Sequence, residues 1–248
     1  MSTAAATNVA NVALVAAVRA QASSITQAVA ETMLADPFWA ARYGAERARK
    51  FAFEDGAFHL QYAAEALSAA DPRVMIHYAR WLRGVLVPRG MCSEHLASDF
   101  RLLAATIETR ELPDHDVARA LLDQVVAGLV HDAPPAAHDV ALAAGALTEA
   151  AGATLPARLR GPVPRHQLLF DLRHLVSYLA DALALGAPAT LVAHVRWADP
   201  FHTAQGRPAG YLRTVLAALD DAAGDGLPAD AATAARAYLA TAVAELAP

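Results

Sequence analysis

Tyr62-Ala-Ala-Glu-Ala-Leu67 stands against Tyr178-Leu-Ala-Asp-Ala-Leu183 without a gap, and this pairing sets the fold. The offset of 116 residues also brings Asp55 onto Asp171, Pro72 onto Pro188, and Arg80-Trp81 onto Arg196-Trp197. Gly90 meets Gly206, Leu96 meets Leu212 and Leu103 meets Leu219 at the same offset. Repeats of about 20–50 residues would mean a solenoid, whereas a period this long means two whole domains. The expected boundaries are 1–131 for the first repeat and 132–248 for the second, with His131-Asp-Ala-Pro-Pro135 as the linker.

Around that stretch the chain reads as all-α. Strand signals are missing: there is no sustained alternation of β-branched residues and no Asn-Gly turn. Much of the 56% apolar fraction is alanine, the strongest helix former, which favours close helix packing over a thick aromatic core. The punctuation predicts helices over about 9–34, 38–43, 46–69, 72–87, 93–107 and 113–129 in the first repeat. In the second it predicts about 165–185, 188–199, 208–221 and 229–246, with Pro156, Pro162 and Pro164 breaking the front end. Asp36 before Pro37 is expected to cap the short second helix. Six helices in the first repeat exceed a four-helix bundle and fit a globin-sized unit.

Composition excludes several function classes. A net charge of −5 gives no general basic surface for nucleic acid. No run of 18 apolar residues is present, so no membrane span is expected. The stretch from Met1 to Gln21 lacks the basic opening of a signal peptide. A single cysteine, Cys92, rules out an internal disulfide and suits a reducing compartment, so the expected location is cytoplasmic. No phosphate loop, dinucleotide fingerprint, nucleophile elbow or zinc-protease motif occurs, and the chain leans towards a non-enzyme.

Asp55 and His59 lie one helical turn apart, and His77 and His95 follow, which would suit a metal-bound helical enzyme. The duplication weighs against that reading, because His59, His77 and His95 fall on Leu175, Ala193 and Tyr211. The aspartates are kept instead: Phe53-Glu54-Asp55 against Leu169-Phe170-Asp171, each with a tyrosine seven residues on. Basic residues precede both, Arg49 and Lys50 in one copy and Arg165 and His166 in the other. An aspartate facing a core needs donors, from a neighbouring helix end, an arginine or a ligand. Trp81 and Trp197 are either core residues or the wall of a pocket for a flat ligand.

Phe51-Ala-Phe-Glu-Asp-Gly-Ala-Phe-His-Leu-Gln-Tyr-Ala-Ala-Glu-Ala-Leu67, with Ala70-Asp71 beyond it, resembles the central helix of the phycobiliproteins and of their phycobilisome-type globin relatives. Phe170-Asp-Leu-Arg-His-Leu-Val-Ser-Tyr178 resembles it again. The resemblance implies two globin-like units and a linear tetrapyrrole (a bilin such as biliverdin). The usual attachment cysteine is Ala52 in one copy and Leu168 in the other, so binding would be non-covalent. The closest likeness is to the bilin-biosynthesis-associated globins. It implies that Asp55 and Asp171 accept from pyrrole N–H groups. Arg49, Lys50 and Arg165 would meet propionates, while His59, Tyr62, Trp81, Tyr178 and Trp197 line the site. The alternative within the same fold is a ligand-free sensor or interaction module, with a protein partner or a homo-oligomer in place of the pigment.

Overall fold

The computed structural model describes the backbone of residues 3–246 and the side chains of residues 11–246; Met1 and Ser2, which open the stretch read against a signal peptide, lie outside the described residues. Thirteen α-helices occur among them, with no strand. In the first half they are α1 (Thr3–Ala20), α2 (Ala22–Leu34), α3 (Pro37–Tyr43), α4 (Ala45–Ala69), α5 (Arg73–Leu86), α6 (Ser93–Thr109) and α7 (His115–Ala127). The second half holds α8 (Pro135–Leu142), α9 (Ala144–Arg158), α10 (Arg165–Ala184), α11 (Pro188–Ala204), α12 (Tyr211–Gly226) and α13 (Ala229–Ala244).

Most boundaries follow local chemistry. Asp36 caps α3 by accepting from the Phe38 N–H at 2.8 Å, with Pro37 in the first turn. Ala70 closes α4 in the left-handed region at φ 49°, and the Asp71 N–H donates back to the Ala66 carbonyl. Several expectations differ from what is found, among them the front end of the second repeat, where no helix was expected and α8 and α9 stand. The single helix expected over 9–34 is two, α1 and α2, bent by 70° at Gln21, which lets both lie along α4. Pro200 lies inside α11, which continues to Ala204. Pro156 likewise lies two residues from the end of α9, where few backbone bonds remain to be lost. No single described helix is long and apolar enough to cross a membrane.

The chain divides into two compact units whose boundary does not follow the chain in one step. Unit 1 is Met1–Arg83 with Leu96–Leu129, and unit 2 is Val130–Pro248 with Gly84–His95.

Unit 1 is built around α4, which packs against α1, α2, α3 and α7. Leu60, Ala63 and Leu67 of α4 join Leu14, Ile25, Met75, Phe100, Ile107 and Leu122 in its core. The Asn11 amide of α1 donates to the Leu67 carbonyl at 3.0 Å. Arg80 and Arg83 tie α5 to the end of α7, donating to the carbonyls of Gly128 and Leu129 at 2.8 and 2.5 Å. At Gly128 a Cβ would stand 2.9 Å from the Ile76 Cγ2, so this approach of α5 to the end of α7 requires glycine.

Unit 2 is built around α10, which packs on α8, α9, α11 and α13, while α12 packs on α9 and α13. Eleven of the twenty residues of α10 are buried, among them Leu172, Val176, Tyr178 and Leu179. Helices this short and alanine-rich gain their stability from such burial more than from propensity.

Candidate functional site

On α4, residues 51, 55, 58 and 62 recur with helical spacing and make one stripe: Phe51, Asp55, Phe58 and Tyr62. Phe51 and Phe58 are 41% and 53% exposed, high for phenylalanine. From α5, Tyr78 stacks on Tyr62 with centroids 4.0 Å apart and rings 13° from parallel. Trp81 continues this ladder 6.2 Å beyond Tyr78 and is 63% exposed. Unit 1 thus presents an open aromatic face with a carboxylate in its midst.

The electrostatics of that face are unusual. Asp55 is partly buried and its carboxyl is raised above the ordinary carboxylate range, first by burial and then by the charge of Glu54. Asp99 of α6 is pushed up to about 7, again by burial first and then by the charge of Asp55. Both charges, with that of Tyr62, act on the Tyr78 phenol, whose ionisation is driven upward mainly by burial. No donor among the described residues is hydrogen-bonded to the carboxylate of Asp55 or Asp99. Asp99 was not singled out in the sequence, because nothing at its counterpart Val215 marks it and its coupling to Asp55 is tertiary.

His59 is buried behind this face. Its Nδ1 shares a hydrogen bond with the Tyr78 hydroxyl at 2.8 Å, and its ring meets Phe100 edge-on at 5.1 Å. Burial pushes its pKa down to about 4, so the imidazole is neutral at physiological pH. His77 is exposed, and among the described residues no three His, Cys, Asp or Glu side chains are grouped as metal ligands. Cys92 is fully buried and its thiol is pushed well above the usual range, chiefly by burial, which favours the protonated form.

The basic candidates are spread over α4. Lys50 lies 3.9 Å from Glu54 in an exposed i,i+4 pair beside the aromatic stripe. Arg49 turns to another side, its guanidinium 5.1 Å above the Phe53 ring. Phe53 in turn lines a groove of about 580 Å³ among α1, α2 and α4 that includes none of the aspartates. In unit 2 a groove of about 730 Å³ between α9 and α12 also lies away from Asp171. Arg165 is taken up by an exposed ion pair with Glu149 at 2.6 Å.

The corresponding stripe of unit 2 is closed. Tyr178 stacks on His194 at 3.7 Å and 17°, and Trp197 follows 6.2 Å from His194, repeating the ladder at the same offset of 116. Tyr178 is fully buried, however, and its hydroxyl donates to the Gly90 carbonyl at 2.8 Å. Trp197 stacks on Phe201 at 4.8 Å against the core. Asp171 accepts from the Tyr211 hydroxyl at 2.6 Å and faces the Arg207 Nη2 at 3.4 Å.

The segment Gly84–His95 covers the rest of the stripe. Asp181, with its side chain wholly buried, accepts from the Ser93 N–H at 2.7 Å, the Ser93 hydroxyl at 2.6 Å and the His131 Nε2 at 2.7 Å. The Glu94 N–H donates to the Ser177 hydroxyl at 2.9 Å, and the rings of His95 and His174 meet edge-on at 4.6 Å. Comparison of the chain with protein-family models, with curated proteins and with solved structures finds no match.

Proposed function

We propose that this is a non-enzymatic tandem of two globin-like units that holds a linear tetrapyrrole non-covalently, on unit 1 alone. The observation that carries the reading is the state of Asp55. It is a partly buried carboxylate without a donor among the described residues, set in an exposed aromatic face. Pyrrole N–H groups would supply the donors that a desolvated carboxylate requires. The stacked Tyr62 and Tyr78 and the open ring of Trp81 offer flat apolar contact to a conjugated ligand. Lys50, beside the stripe, and Arg47, whose guanidinium lies 5.3 Å over the Phe51 ring, are cations placed to meet a propionate; Arg49 and Arg165 are engaged elsewhere. Asp171 already has Tyr211 and Arg207, which favours one ligand per chain.

The duplication within this proposal is supported by the two ladders, Tyr62–Tyr78–Trp81 and Tyr178–His194–Trp197, whose members and spacings correspond at one offset. Helices α4 to α7 also correspond in order to α10 to α13.

The test is titration of the full chain with biliverdin, followed by visible absorbance. Saturable binding with a shifted spectrum is expected. Asp55→Ala should weaken it by about ten- to a hundredfold, the consequence of leaving ligand donors unpaired, and Asp171→Ala should not. Absence of saturable binding, or binding indifferent to Asp55→Ala, overturns the reading.

A second reading is favoured by the exposure of Trp81 and Phe58: the face of unit 1 joins a second copy of the chain instead of a pigment. A mass in solution that rises with concentration, and stops rising in Trp81→Ser, would select it.

A further inference from the structure

The 70° bend between α1 and α2 makes an elbow, and the groove of about 580 Å³ in unit 1 opens inside it, over α4. From α4 it takes Phe53, Ala57, Leu60 and Ala64, which share one face of that helix. Each stands two positions from a member of the stripe Phe51, Asp55, Phe58 and Tyr62, about 200° round the helix. The groove and the stripe therefore use opposite sides of α4. The elbow is held by Arg110, which does not line the groove: its guanidinium donates to Gln21 Oε1 at 3.3 Å, to Ser24 Oγ at 2.9 Å and to the Ser24 carbonyl at 2.8 Å. Its volume lies in the range of about 300–1,000 Å³ usual for small-molecule sites.

Two polar groups of this groove are unused. Thr26 is only 7% exposed, and its methyl is set against α4, where a Cβ on Gly56 would stand 3.3 Å from the Thr26 Cγ2. Its hydroxyl makes no hydrogen bond among the described residues, whereas Thr32 of the same helix donates to the Ala28 carbonyl at 2.9 Å. The Thr26 oxygen is not sealed in, and the residue lines the groove, so the hydroxyl opens into that space. Arg19, exposed in the last turn of α1, has no ion-pair or hydrogen-bond partner among the described residues. Arg19, Ser23 and Thr26 line the groove together, which sets a guanidinium and two hydroxyls along one wall.

The chemistry of the walls restricts the occupant. A free guanidinium beside hydroxyl donors matches a carboxylate. Glu65 also lines the groove, accepting from Gln61 Nε2 at 3.0 Å, so a second negative charge on the ligand would meet repulsion. The remaining surface, with Val18 and Leu60 at its floor and Phe53 beyond, is apolar and calls for a hydrocarbon body. We propose that this groove binds an amphiphilic monocarboxylate of the fatty-acid class, its carboxylate taken by Arg19 and the Thr26 hydroxyl and its chain laid along Leu60 towards Phe53. The site is independent of the tetrapyrrole reading of unit 1.

The experiment is a calorimetric titration of the full chain with octanoate, and with 1-octanol as the probe that keeps the chain but lacks the charge. Saturable binding of octanoate is expected, at least about tenfold tighter than that of 1-octanol, for a charge-assisted contact with Arg19. Arg19→Gln should bring octanoate down to the level of 1-octanol. Thr26→Val keeps the shape and removes the hydroxyl, and should weaken octanoate by about threefold or more. Ala57→Trp, at an exposed position of the groove, should abolish binding of both probes. Asp55→Ala should leave the octanoate titration unchanged and Ala57→Trp the biliverdin titration, so each reading can fail without the other. The proposal is overturned if octanoate does not saturate, if the two probes bind alike, or if Arg19→Gln, Thr26→Val or Ala57→Trp leaves octanoate binding as it was. Should Thr26→Val fail to fold, Arg19→Gln and Ala57→Trp, both at exposed positions, still decide the matter.

Discussion

Asp181→Ala should be the most damaging single polar substitution in unit 2. Its carboxylate accepts three hydrogen bonds within 2.7 Å: two from Ser93, which opens α6, and one from His131. The substitution removes the acceptor and strands a backbone N–H, a hydroxyl and an imidazole N–H in a place where water does not reach. Each buried donor left without its acceptor costs about 1–3 kcal/mol, so the three together set the expectation at about 3–5 kcal/mol. Asp181→Asn retains one carbonyl acceptor but turns an NH₂ towards a donor, and should cost about half as much. Urea unfolding followed by the near-ultraviolet signal gives the magnitude. Native-state hydrogen exchange gives the location: the Ser93 and Glu94 amides, held by Asp181 and Ser177, should lose protection before the core of α10 does. A loss below about 1 kcal/mol, the range of an ordinary surface change, would refute the argument if exchange at Ser93 and Glu94 were also unchanged. The segment Gly84–His95 would then be held by the Tyr178–Gly90 bond and its apolar contacts instead.

Three further outcomes are expected. His59 has a folded pKa of about 4 against an ordinary 6.5, so the unfolded chain binds its proton first. Stability should be full above pH 6.5 and fall by about 3 kcal/mol as pH drops to 4, a fall that His59→Phe should shallow in acid unfolding curves. Asp99, raised to about 7, has the opposite sign: its charged form is disfavoured in the folded state, and the cost grows as pH rises from 3.8 to 7. Asp99→Asn should accordingly stabilise the chain at pH 8, by up to about 4 kcal/mol, and leave it nearly unchanged at pH 3.5, as thermal melts at the two pH values will report. Gly128→Ala would set a methyl 2.9 Å from the stiff Ile76 Cγ2 and 3.2 Å from the Gln124 carbonyl, and should cost about 1–3 kcal/mol in urea unfolding.

The helices were legible because their signals are local. Alanine content, the Asp36-Pro37 cap and the turn at Ala70-Asp71-Pro72 act within a few residues, and all of them correspond to helix ends that are found. Gln21 carries no such signal. The break between α1 and α2 follows instead from laying both helices along α4, a tertiary demand that periodicity cannot carry. The site was legible in part for the same reason. The stripe through Asp55 and Tyr62 is a property of one helix, but its pairing with Asp99 joins α4 to α6 across 44 positions of the chain. Asp181 lies inside the stretch that decides the fold, yet nothing local marks it as buried, since it stands opposite the acid Glu65. Glu65 is exposed and bonded by its neighbour Gln61 at 3.0 Å.

The contrast between these two acids explains why the two stripes differ in use. On α10 four polar positions have partners from elsewhere in unit 2: Asp171 from Tyr211, Tyr178 from Gly90, Ser177 from Glu94, Asp181 from Ser93 and His131. Each of these bonds contributes only about 0.5–1.5 kcal/mol net, but together they fix the segment Gly84–His95 and bury the stripe. On α4 the positions of His174 and Gln167 are taken by Phe58 and Phe51, which offer no donor or acceptor to a covering segment. A stripe of exposed rings around an unpaired carboxylate is unstable as mere surface, because it leaves both apolar area and a desolvated charge without compensation. Substituting Phe58→His and Tyr62→Ser would make α4 a better surface and a worse site: stability should hold within about 1 kcal/mol, while biliverdin binding by unit 1 should be lost. If binding survived the loss of both rings, the carboxylate alone would be responsible, and the aromatic face would belong to contact with a second copy of the chain.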